Sequence, residues 1–308
     1  MQIEDWPLAD PGPGQIRLRH TAIGLNFIDV YQRSGIYKVA TPFVPGNEGA
    51  GIVTAVGEGV DFLQPGDRVT YQGQVGAYAD ERLLKADRAI PIPQGIDDAT
   101  AAAVTLKGLT AYYLLFKTWP IKFGDVILWH AAAGGVGLIA CQWARSLGAR
   151  VIGVVGSADK VATAQANGCH DVIDSSRQDV VREVRRLTHD QGVDVVYDSV
   201  GKATFETSLD CLRPRGLMVS FGNASGVVSI PDLGILASKG SLFLTRPTGG
   251  PYLAKREDLL EGAAALFEAI GKGTIRVSIN HTYALADAAK AHTELEARRT
   301  TGSVILLP

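Results

Sequence analysis

The sequence predicts an α/β protein with two domains, one a doubly wound parallel sheet and the other a smaller, β-rich domain. Its 308 residues exceed what one hydrophobic core usually serves. Short β-type runs separated by turns fill the first third of the chain, and strands alternating with helical patterns fill the middle. The two patterns belong to different architectures, so each predicts a domain of its own.

The first third of the chain has the pattern of an antiparallel β domain. Alternating or β-branched runs occupy residues 15–21, 51–56 and 68–71. Turns that contain proline and glycine separate these runs, at residues 45–46, 65–67 and 93–95. Short runs with this punctuation are typical of antiparallel strands joined by tight turns.

After Leu106 the pattern changes to strands that alternate with helices, which favours a parallel sheet covered on both faces. The predicted strands are residues 126–130, 151–155, 193–198 and 217–221. A helix that follows Gly135 has apolar residues at steps of three and four, which give it one buried face.

The C-terminal tail contains two further helical patterns and a last strand. The helices are expected at residues 255–271 and 285–298, and the strand at 303–307. A doubly wound unit does not need that strand, so we expect it to return to the first domain. The predicted boundaries are 1–106 with 247–308 for the β-rich domain and 107–246 for the parallel sheet.

Composition and charge exclude several classes of protein. Apolar residues make up 46% and charged residues 20%, and the net charge of −2 offers no basic surface for nucleic acid. Three widely spaced cysteines predict no disulfide framework. No basic segment precedes an apolar run at Met1, and the apolar stretch 126–140 is too short to cross a bilayer. We therefore expect a cytoplasmic protein with neither nucleic-acid nor membrane partners.

Residues 132–137, with the sequence AAGGVG, match the dinucleotide-binding fingerprint with alanine in the first glycine position. They follow an apolar strand and open an amphipathic helix, which is the context that the fingerprint requires. Gly134 and Gly135 are expected to let the backbone approach a pyrophosphate, which the helix N-terminus attracts. The alternative is a glycine turn in an α/β protein that binds something else.

The residues after the second predicted strand favour NADPH over NADH. In NAD-specific sites an acidic residue about 20 positions past the fingerprint accepts a hydrogen bond from the ribose 2′-hydroxyl. Here Gly156 is followed by Ser157 and Lys160, whose hydroxyl and ammonium suit a 2′-phosphate. Asp159 lies between them and, on a helix, is expected to project away from both. The alternative is a serine N-cap followed by a solvated lysine.

Two more predicted strand ends carry small polar residues, Ser199 and Asn223. Ligands of doubly wound sheets lie over the carboxyl ends of the strands, so these residues are candidates for contact with the ribose or the nicotinamide. Ordinary turns between strand and helix are the alternative for each of them.

Motifs along the chain fall at the spacing of a known signature. They are Gly124, Asp125, Leu128, residues 132–135, Gly137, Gln142 and Arg145, together with segments 26–29, 45–49, 65–69, 107–110 and 198–201. In them the chain resembles the zinc-free quinone oxidoreductases, the ζ-crystallin family of the medium-chain dehydrogenase/reductase superfamily. The resemblance covers essentially the whole chain.

The resemblance implies a Rossmann domain and a GroES-like catalytic domain, with NADPH in the cleft between them and usually a homodimer. It implies that Asn26, Tyr31 and Tyr37 are catalytic residues that line the quinone and nicotinamide pocket. The cofactor contacts it implies are Thr110 and Tyr113 near the nicotinamide, Gly135 and Val136 at the pyrophosphate, Ser157 and Lys160 at the 2′-phosphate, and Asn223, Thr248 and Arg298 closing over the cofactor.

The chain departs from the family pattern in two places. Family members commonly begin with another strand and turn before the equivalent of residues 6–8, so either the true start lies upstream or a first hairpin is missing and one sheet edge is exposed. Ser175 occupies the position where an aromatic residue often lies on the adenine, and weaker adenine stacking is therefore expected.

The positions of zinc ligands in related dehydrogenases hold Asn26 and Asn47. Zinc prefers cysteine, histidine and carboxylate, and three cysteines cannot form a four-cysteine cluster, so we predict no metal site. Without a Lewis acid, reduction of an electrophilic acceptor needs only hydrogen-bond donors for the developing oxyanion. Asn26, Tyr31 and Tyr37 are candidate donors, and simple packing is the alternative for the tyrosines.

The predicted function is NADPH-dependent reduction of quinones by zinc-independent hydride transfer. A reductase of the double bond in α,β-unsaturated aldehydes or ketones would use the same fold and cofactor, and it stays an alternative. A non-catalytic NADPH-binding or RNA-binding protein of the ζ-crystallin kind is a third possibility. The near-neutral charge and the set of hydrogen-bond donors count against it.

Overall fold

A computed structural model describes residues 1–308, which divide into two units. Unit 1 contains Met1–Thr110, Gly249–Gly273 and Val277–Pro308. Unit 2 contains Ala111–Thr248 and Thr274–Arg276.

Strands and helices alternate in most of unit 2, whereas unit 1 contains seven strands that form one sheet, together with helices. The strands are β1 (Gln15–Leu25), β2 (Glu48–Val56), β3 (Arg68–Gln72), β4 (Glu81–Lys85), β5 (Ile90–Pro91), β6 (Val126–His130), β7 (Arg150–Val155), β8 (Asp171–Asp174), β9 (Val193–Asp198), β10 (Leu212–Ser220), β11 (Phe243–Thr245), β12 (Ile279–Ala284) and β13 (Ser303–Leu307). The α-helices are α1 (Phe27–Arg33), α2 (Asp98–Tyr112), α3 (Gly135–Ser146), α4 (Val161–Ala166), α5 (Val180–Leu187), α6 (Phe205–Cys211), α7 (Gly234–Ser238), α8 (Gly249–Tyr252), α9 (Arg256–Gly271) and α10 (Ala288–Glu296).

Unit 1 is built on a seven-stranded sheet with the order β12-β13-β1-β2-β3-β5, in which β4 pairs with β1. All pairs are antiparallel except β12 with β13. The last strand, β13, pairs with β1 in the register Ile23–Leu306, which confirms that the tail returns to the first domain. Alternate residues of β1, such as Ile16 and Leu18, are buried in the core of this unit.

Unit 2 is built on a six-stranded parallel sheet with the order β11-β10-β9-β6-β7-β8. The chain enters at β6, moves outward to β8, returns to β9 beside β6 and then moves outward on the other side. The loops that follow β6 and β9 therefore diverge, and the carboxyl ends of these two strands form the switch point where such sheets bind ligands.

The α/β class and the main strands are confirmed, including the bounds of β6, β9 and β13. The interpretation of the first third of the chain as β structure is wrong at its end, because α2 begins at Asp98. A six-residue π-helix, Tyr113–Thr118, continues that helix. The strand predicted at 217–221 is β10, which begins earlier, at Leu212.

Helix α2 escaped prediction because it is buried on nearly every side. Residues 101–105 have no exposed surface, so the apolar stripe that marks a surface helix is absent. The helical stretch Asp98–Thr118 is long and apolar enough to cross a membrane by length and composition. However, 72% of its apolar window is buried inside the protein, as in a core helix.

Candidate cofactor and substrate site

The turn after β6 leaves the N-terminus of α3 without a side-chain cap. Ala131 has a positive φ of 54°, and Gly134 is the extended N-cap residue (φ −81°, ψ 171°) before α3 begins at Gly135. The N-cap residue, a glycine, supplies no side-chain hydrogen bond to the N-terminus of this twelve-residue helix. Its first N–H groups and the positive end of its dipole are therefore suited to an anion.

Two glycines near this turn are required by close packing. A Cβ atom on Gly137 would lie 2.5 Å from the carbonyl oxygen of Ala131 and 2.7 Å from that of Ala132. A Cβ atom on Gly153, in β7, would lie 2.5 Å from the Sγ atom of Cys169. Glycine at these positions lets α3 approach the turn after β6 and lets β7 approach Cys169, which lies just before β8.

Gly156, just after β7, has the opposite environment. A Cβ atom there would meet nothing within 4 Å, so open space adjoins the carboxyl end of the strand. Together with the uncapped helix, this space and the polar side chains that follow it fit a dinucleotide whose pyrophosphate lies at α3.

The residues after Gly156 form a single 3₁₀ turn, Ala158–Lys160, with Ser157 as its N-cap. The Ser157 hydroxyl donates a hydrogen bond to the Asp159 carboxylate, and this bond, before the charge of Lys160, lowers the pKa of Asp159. The expectation that Asp159 projects away from both residues is wrong, because the tight turn brings its side chain back to Ser157.

Asp198, the last residue of β9, is fully buried and organises the next loop. Its carboxylate accepts hydrogen bonds from the N–H groups of Val200 (2.7 Å) and Gly201 (3.0 Å). It also accepts hydrogen bonds from the hydroxyls of Thr204 (2.6 Å) and Ser208 (2.7 Å). These four bonds fix the loop that carries Ser199.

The predicted cofactor residues of unit 2 mostly follow the carboxyl ends of its parallel strands, so the structure brings them to one edge of the sheet. They are Gly134, Gly135 and Val136 after β6; Gly156, Ser157 and Lys160 after β7; Ser175 after β8; Ser199 after β9; and Asn223 after β10. The Ser175 hydroxyl donates to the carbonyl of Val155 (3.0 Å), which ties the ends of β7 and β8 together.

Four predicted residues lie elsewhere. Tyr113 is buried at the start of the π-helix, and Thr248 is exposed at the end of the main segment of unit 2. Thr110 and Arg298 belong to unit 1. The Thr110 hydroxyl donates to the carbonyl of Leu106 (2.7 Å), and Arg298 has a positive φ of 60°.

In unit 1, Asn26 is the buried N-cap residue of α1, and its amide is held by an ion pair. Its Nδ2 donates to Oε2 of Glu48 (2.8 Å), which also accepts from Nζ of Lys107 (2.9 Å). Glu48 has no exposed surface. The pair compensates both buried charges and fixes the orientation of the Asn26 amide.

A second buried carboxylate, Asp29, lies one helical turn further along α1. It accepts hydrogen bonds from the backbone N–H of Asn26 (2.8 Å), Nδ2 of Asn47 (2.7 Å) and the hydroxyl of Tyr78 (3.2 Å). Burial raises its pKa to about 6, although these hydrogen bonds and the charge of Lys107 oppose the shift. The Tyr78 hydroxyl is also 2.9 Å from Nε2 of His292, whose pKa is lowered to about 4 by burial first and then by Arg33.

Tyr31 and Tyr37 pack against each other. Their rings are edge-to-face with centroids 5.3 Å apart, and the Tyr37 N–H donates to the Tyr31 carbonyl (3.0 Å). Tyr31 is buried in α1 and Tyr37 is half-buried. The packing role considered for this pair is therefore present, and a donor role stays a prediction.

Sequence patterns placed Glu48, Lys107 and Asp198 within the motifs that match the family but gave them no role in these sites, and they did not single out Tyr78. The partners of Asn26 and Asp29 come from distant segments, which spacing along the chain cannot show. Asp198 did carry a local signal, since an aspartate at a strand end followed by glycine is typical of a turn closed by its own side chain.

Comparison with known proteins supports this description. Residues 12–94 match the family model described as the alcohol dehydrogenase GroES-like domain, and residues 135–249 match the one described as zinc-binding dehydrogenase. A quinone oxidoreductase of Pseudomonas aeruginosa is 53% identical over 100% of this chain and 95% of its own length. A 2-haloacrylate reductase of a Burkholderia species is 46% identical over 99% of this chain and 94% of its own length.

Among solved structures, the Escherichia coli quinone oxidoreductase in complex with NADPH is similar to this chain with a TM-score of 0.97 and 49% identity. The similarity covers 99% of this chain and 95% of that one. With a parallel sheet in unit 2, a GroES-like match in unit 1 and these relatives at full length, the chain belongs to the quinone oxidoreductase family of the medium-chain dehydrogenase/reductase superfamily.

Proposed function

We propose that this chain is a zinc-independent oxidoreductase that reduces quinones with NADPH. The observation that carries the proposal is the carboxyl edge of the unit 2 sheet, where the uncapped α3, the open space at Gly156, and Ser157 with Lys160 lie together. The similar Escherichia coli enzyme, 49% identical, has been solved with NADPH.

The residues of unit 2 would hold the dinucleotide by its charged groups. The N–H groups of Gly135 and Val136 suit the pyrophosphate, and Ser157 and Lys160 suit the 2′-phosphate. We assign Ser175 and Ser199 to the adenosine and ribose side. We assign five further residues to the nicotinamide half of the cofactor and its closure. They are Tyr113, Asn223 and Thr248 of unit 2, and Thr110 and Arg298 of unit 1. When bound, NADPH supplies the hydride.

The acceptor side of the proposal rests on Asn26, Tyr31 and Tyr37. The Asn26 amide is fixed by Glu48, and its second N–H can donate to an oxygen that becomes negative during reduction. The tyrosine hydroxyls are the further donors.

Zinc independence is supported by the donor set itself. Asn26 and Asn47 direct Nδ2 donors at Glu48 and Asp29, an arrangement that hydrogen-bonds carboxylates and does not ligate a cation.

A second candidate activity is reduction of an activated carbon–carbon double bond. The 46% identity with a 2-haloacrylate reductase favours it, because that protein's name describes such a reaction and the similarity spans nearly both chains. The two activities share the cofactor site and differ in the acceptor.

A substrate panel at fixed NADPH concentration tests the choice. We expect NADPH absorbance to fall rapidly with simple benzoquinones and naphthoquinones, and slowly with alkenals, enones and 2-haloacrylates. Rapid turnover of the alkenes alone would establish the second activity. NADPH binding without turnover of any acceptor would identify a binding protein and contradict both.

We also propose a cytoplasmic homodimer. Strand β11 forms one edge of the unit 2 sheet and pairs only with β10, while its Phe243 is 61% exposed. An unpaired edge with an exposed aromatic side chain suits a second copy of the chain. The three cysteines are free and buried, which fits a reducing compartment.

A further inference from the structure

A chain of three hydrogen-bonded side chains links α10 to the N-terminus of α1. Nε2 of His292 lies 2.9 Å from the Tyr78 hydroxyl, and that hydroxyl lies 3.2 Å from Oδ2 of Asp29. The same Oδ2 atom accepts a hydrogen bond from the backbone N–H of Asn26 (2.8 Å). His292 and Asp29 have no exposed surface. Through Asp29, the chain therefore reaches the residue that we assign as a hydrogen-bond donor to the substrate.

The direction of each hydrogen bond follows from the hydrogens that are available. Above about pH 6 the Asp29 carboxylate is ionised and only accepts, so the single hydroxyl hydrogen of Tyr78 goes to it. The Tyr78 oxygen can then accept from His292, which must carry its hydrogen on Nε2. Nδ1 of His292 is left buried without a hydrogen-bond partner. Because an unpaired buried nitrogen destabilises the folded state, stability alone does not explain this histidine.

Another tyrosine–histidine pair in unit 1 has all its polar atoms paired. Nδ1 of His20 donates to a backbone carbonyl (2.7 Å), so its Nε2 accepts from the Tyr71 hydroxyl (2.8 Å). The Tyr71 oxygen in turn accepts from Arg82 (3.1 Å). The two histidines therefore carry their hydrogens on opposite nitrogens, and the fully paired one is not bonded to Asp29.

The Tyr78 side chain is fixed by its surroundings. Gly46 has a positive φ of 94°, and a Cβ atom there would overlap the Tyr78 ring. The Tyr78 N–H donates to the carbonyl of Pro45 (2.9 Å). Its ring packs edge-to-face on that of His292, with centroids 5.7 Å apart. These contacts hold the hydroxyl between His292 and Asp29.

Asn26 is held at two points by two different carboxylates. Glu48 accepts from its side-chain amide (2.8 Å), and Asp29 accepts from its backbone N–H (2.8 Å). The first bond fixes the rotation of the amide, and the second fixes the backbone at the point where α1 begins. A donor to a developing negative charge must be held in a fixed place, because a small displacement lowers the rate. Movement of Asp29 would therefore displace the Asn26 donor.

Resting on the proposed function, we infer that Tyr78 and His292 are positioning residues for the reduction. They act through Asp29, which holds the Asn26 donor in place, and neither has to touch the substrate. His292 reaches Asp29 only through the Tyr78 hydroxyl, so loss of either residue should have the same effect.

Steady-state kinetics with a simple benzoquinone, at about pH 8 where Asp29 is ionised, test this role. Tyr78→Phe removes the hydroxyl and keeps the ring, and we expect kcat to fall about tenfold because the donor is displaced. The KM for NADPH should stay within about twofold, since we assign the cofactor phosphates to unit 2. His292→Leu should lower kcat equally, and the double variant should lower it no further, because the two residues act as one chain.

His292→Gln separates the hydrogen bond from packing. Its amide can place an N–H near the position of Nε2 and donate to Tyr78, so kcat should recover to within about threefold of the wild type. Tyr71→Phe is the matched control, because it also removes a hydroxyl that bonds to a histidine in unit 1. Urea denaturation should show a loss of stability at least as large as in Tyr78→Phe, while kcat stays within about twofold of the wild type.

Equal kcat values for Tyr78→Phe and the wild type would overturn the inference and leave the proposed function standing. So would an equal fall in Tyr71→Phe, since the loss would then come from general destabilisation of unit 1. A His292→Gln variant as impaired as His292→Leu would overturn it too. A wild type that reduces no quinone would contradict the proposed function itself, and the positioning role would fail with it.

Discussion

At the residue scale, the buried carboxylate of Asp29 is held firmly in place within unit 1. The carboxylate has no exposed surface and is held by three donors from three separate segments of the chain. Burial nevertheless dominates, and it raises the pKa of Asp29 to about 6. Ionisation of this group therefore opposes folding near neutral pH.

The raised pKa of Asp29 determines how the stability of the protein changes with pH. The folded state binds the Asp29 proton more tightly than the unfolded state, so its contribution to stability is full below pH 3.8 and is lost as the pH rises through about 6. A shift from 3.8 to about 6 corresponds to about 3 kcal/mol. We expect the free energy of unfolding of Asp29→Asn, relative to wild type, to rise by up to that amount between about pH 4 and pH 7.

Urea denaturation at a series of pH values measures this difference. Asp61→Asn, which changes an exposed carboxylate in the same unit, is the control and should give a flat difference curve. A flat curve for Asp29→Asn as well would show that Asp29 titrates alike in the folded and unfolded states.

Local signals identified the backbone of the candidate site better than its side-chain partners. Gly134 and Gly135 were predicted correctly to open a helix after a strand, because strand, turn and helix are adjacent in sequence. The bond between Tyr78 and His292 joins residues 214 positions apart, and no short-range pattern encodes it. The Asp159 side chain was misplaced because its direction depends on whether the turn is α or 3₁₀.

At the scale of elements, short apolar runs predicted the strands, and an amphipathic pattern predicted one of the helices. Strands β6 and β13 were found as apolar runs, and α3 by its apolar residues at steps of three and four. Helix α2 was missed because its alanine-rich sequence is buried on nearly every side. The π-helix Tyr113–Thr118 was not predicted, because a single π turn that continues an α-helix does not change the spacing of apolar residues enough for periodicity to detect it.

The junction of β6 and α3 yields a prediction at this scale. Gly137→Ala would place a methyl group 2.5 Å from the Ala131 carbonyl oxygen, so α3 must shift away from the turn. We expect a loss of about 1–3 kcal/mol of stability, with weaker NADPH binding because the helix N-terminus moves. Thermal denaturation and NADPH titration measure the two effects.

Gly156→Ala is the matched control for stability, because its new methyl group meets nothing within 4 Å. Its free energy of unfolding should stay within about 0.5 kcal/mol of the wild type. Equal stability of the Gly137 and Gly156 variants would mean that close packing at the turn is not required.

At the scale of the whole molecule, the proposed dimer depends on one sheet edge. Phe243→Lys places a charge on β11 and should convert a dimer to a monomer, which sedimentation velocity would detect. Trp6→Lys is the control, since Trp6 is 74% exposed in unit 1, outside any strand or helix. A dimer that persists in Phe243→Lys would place the contact elsewhere.

The buried carboxylate of Asp198 has a consequence for motion. Loop amides usually exchange their hydrogens with solvent readily, whereas those of Val200 and Gly201 are bonded to a carboxylate that has no contact with water. Their hydrogens are released only when the end of β9 and the start of α6 open together, since Thr204 and Ser208 hold the same carboxylate. We therefore expect the amide hydrogens beside Ser199 to exchange with solvent as slowly as those of the sheet.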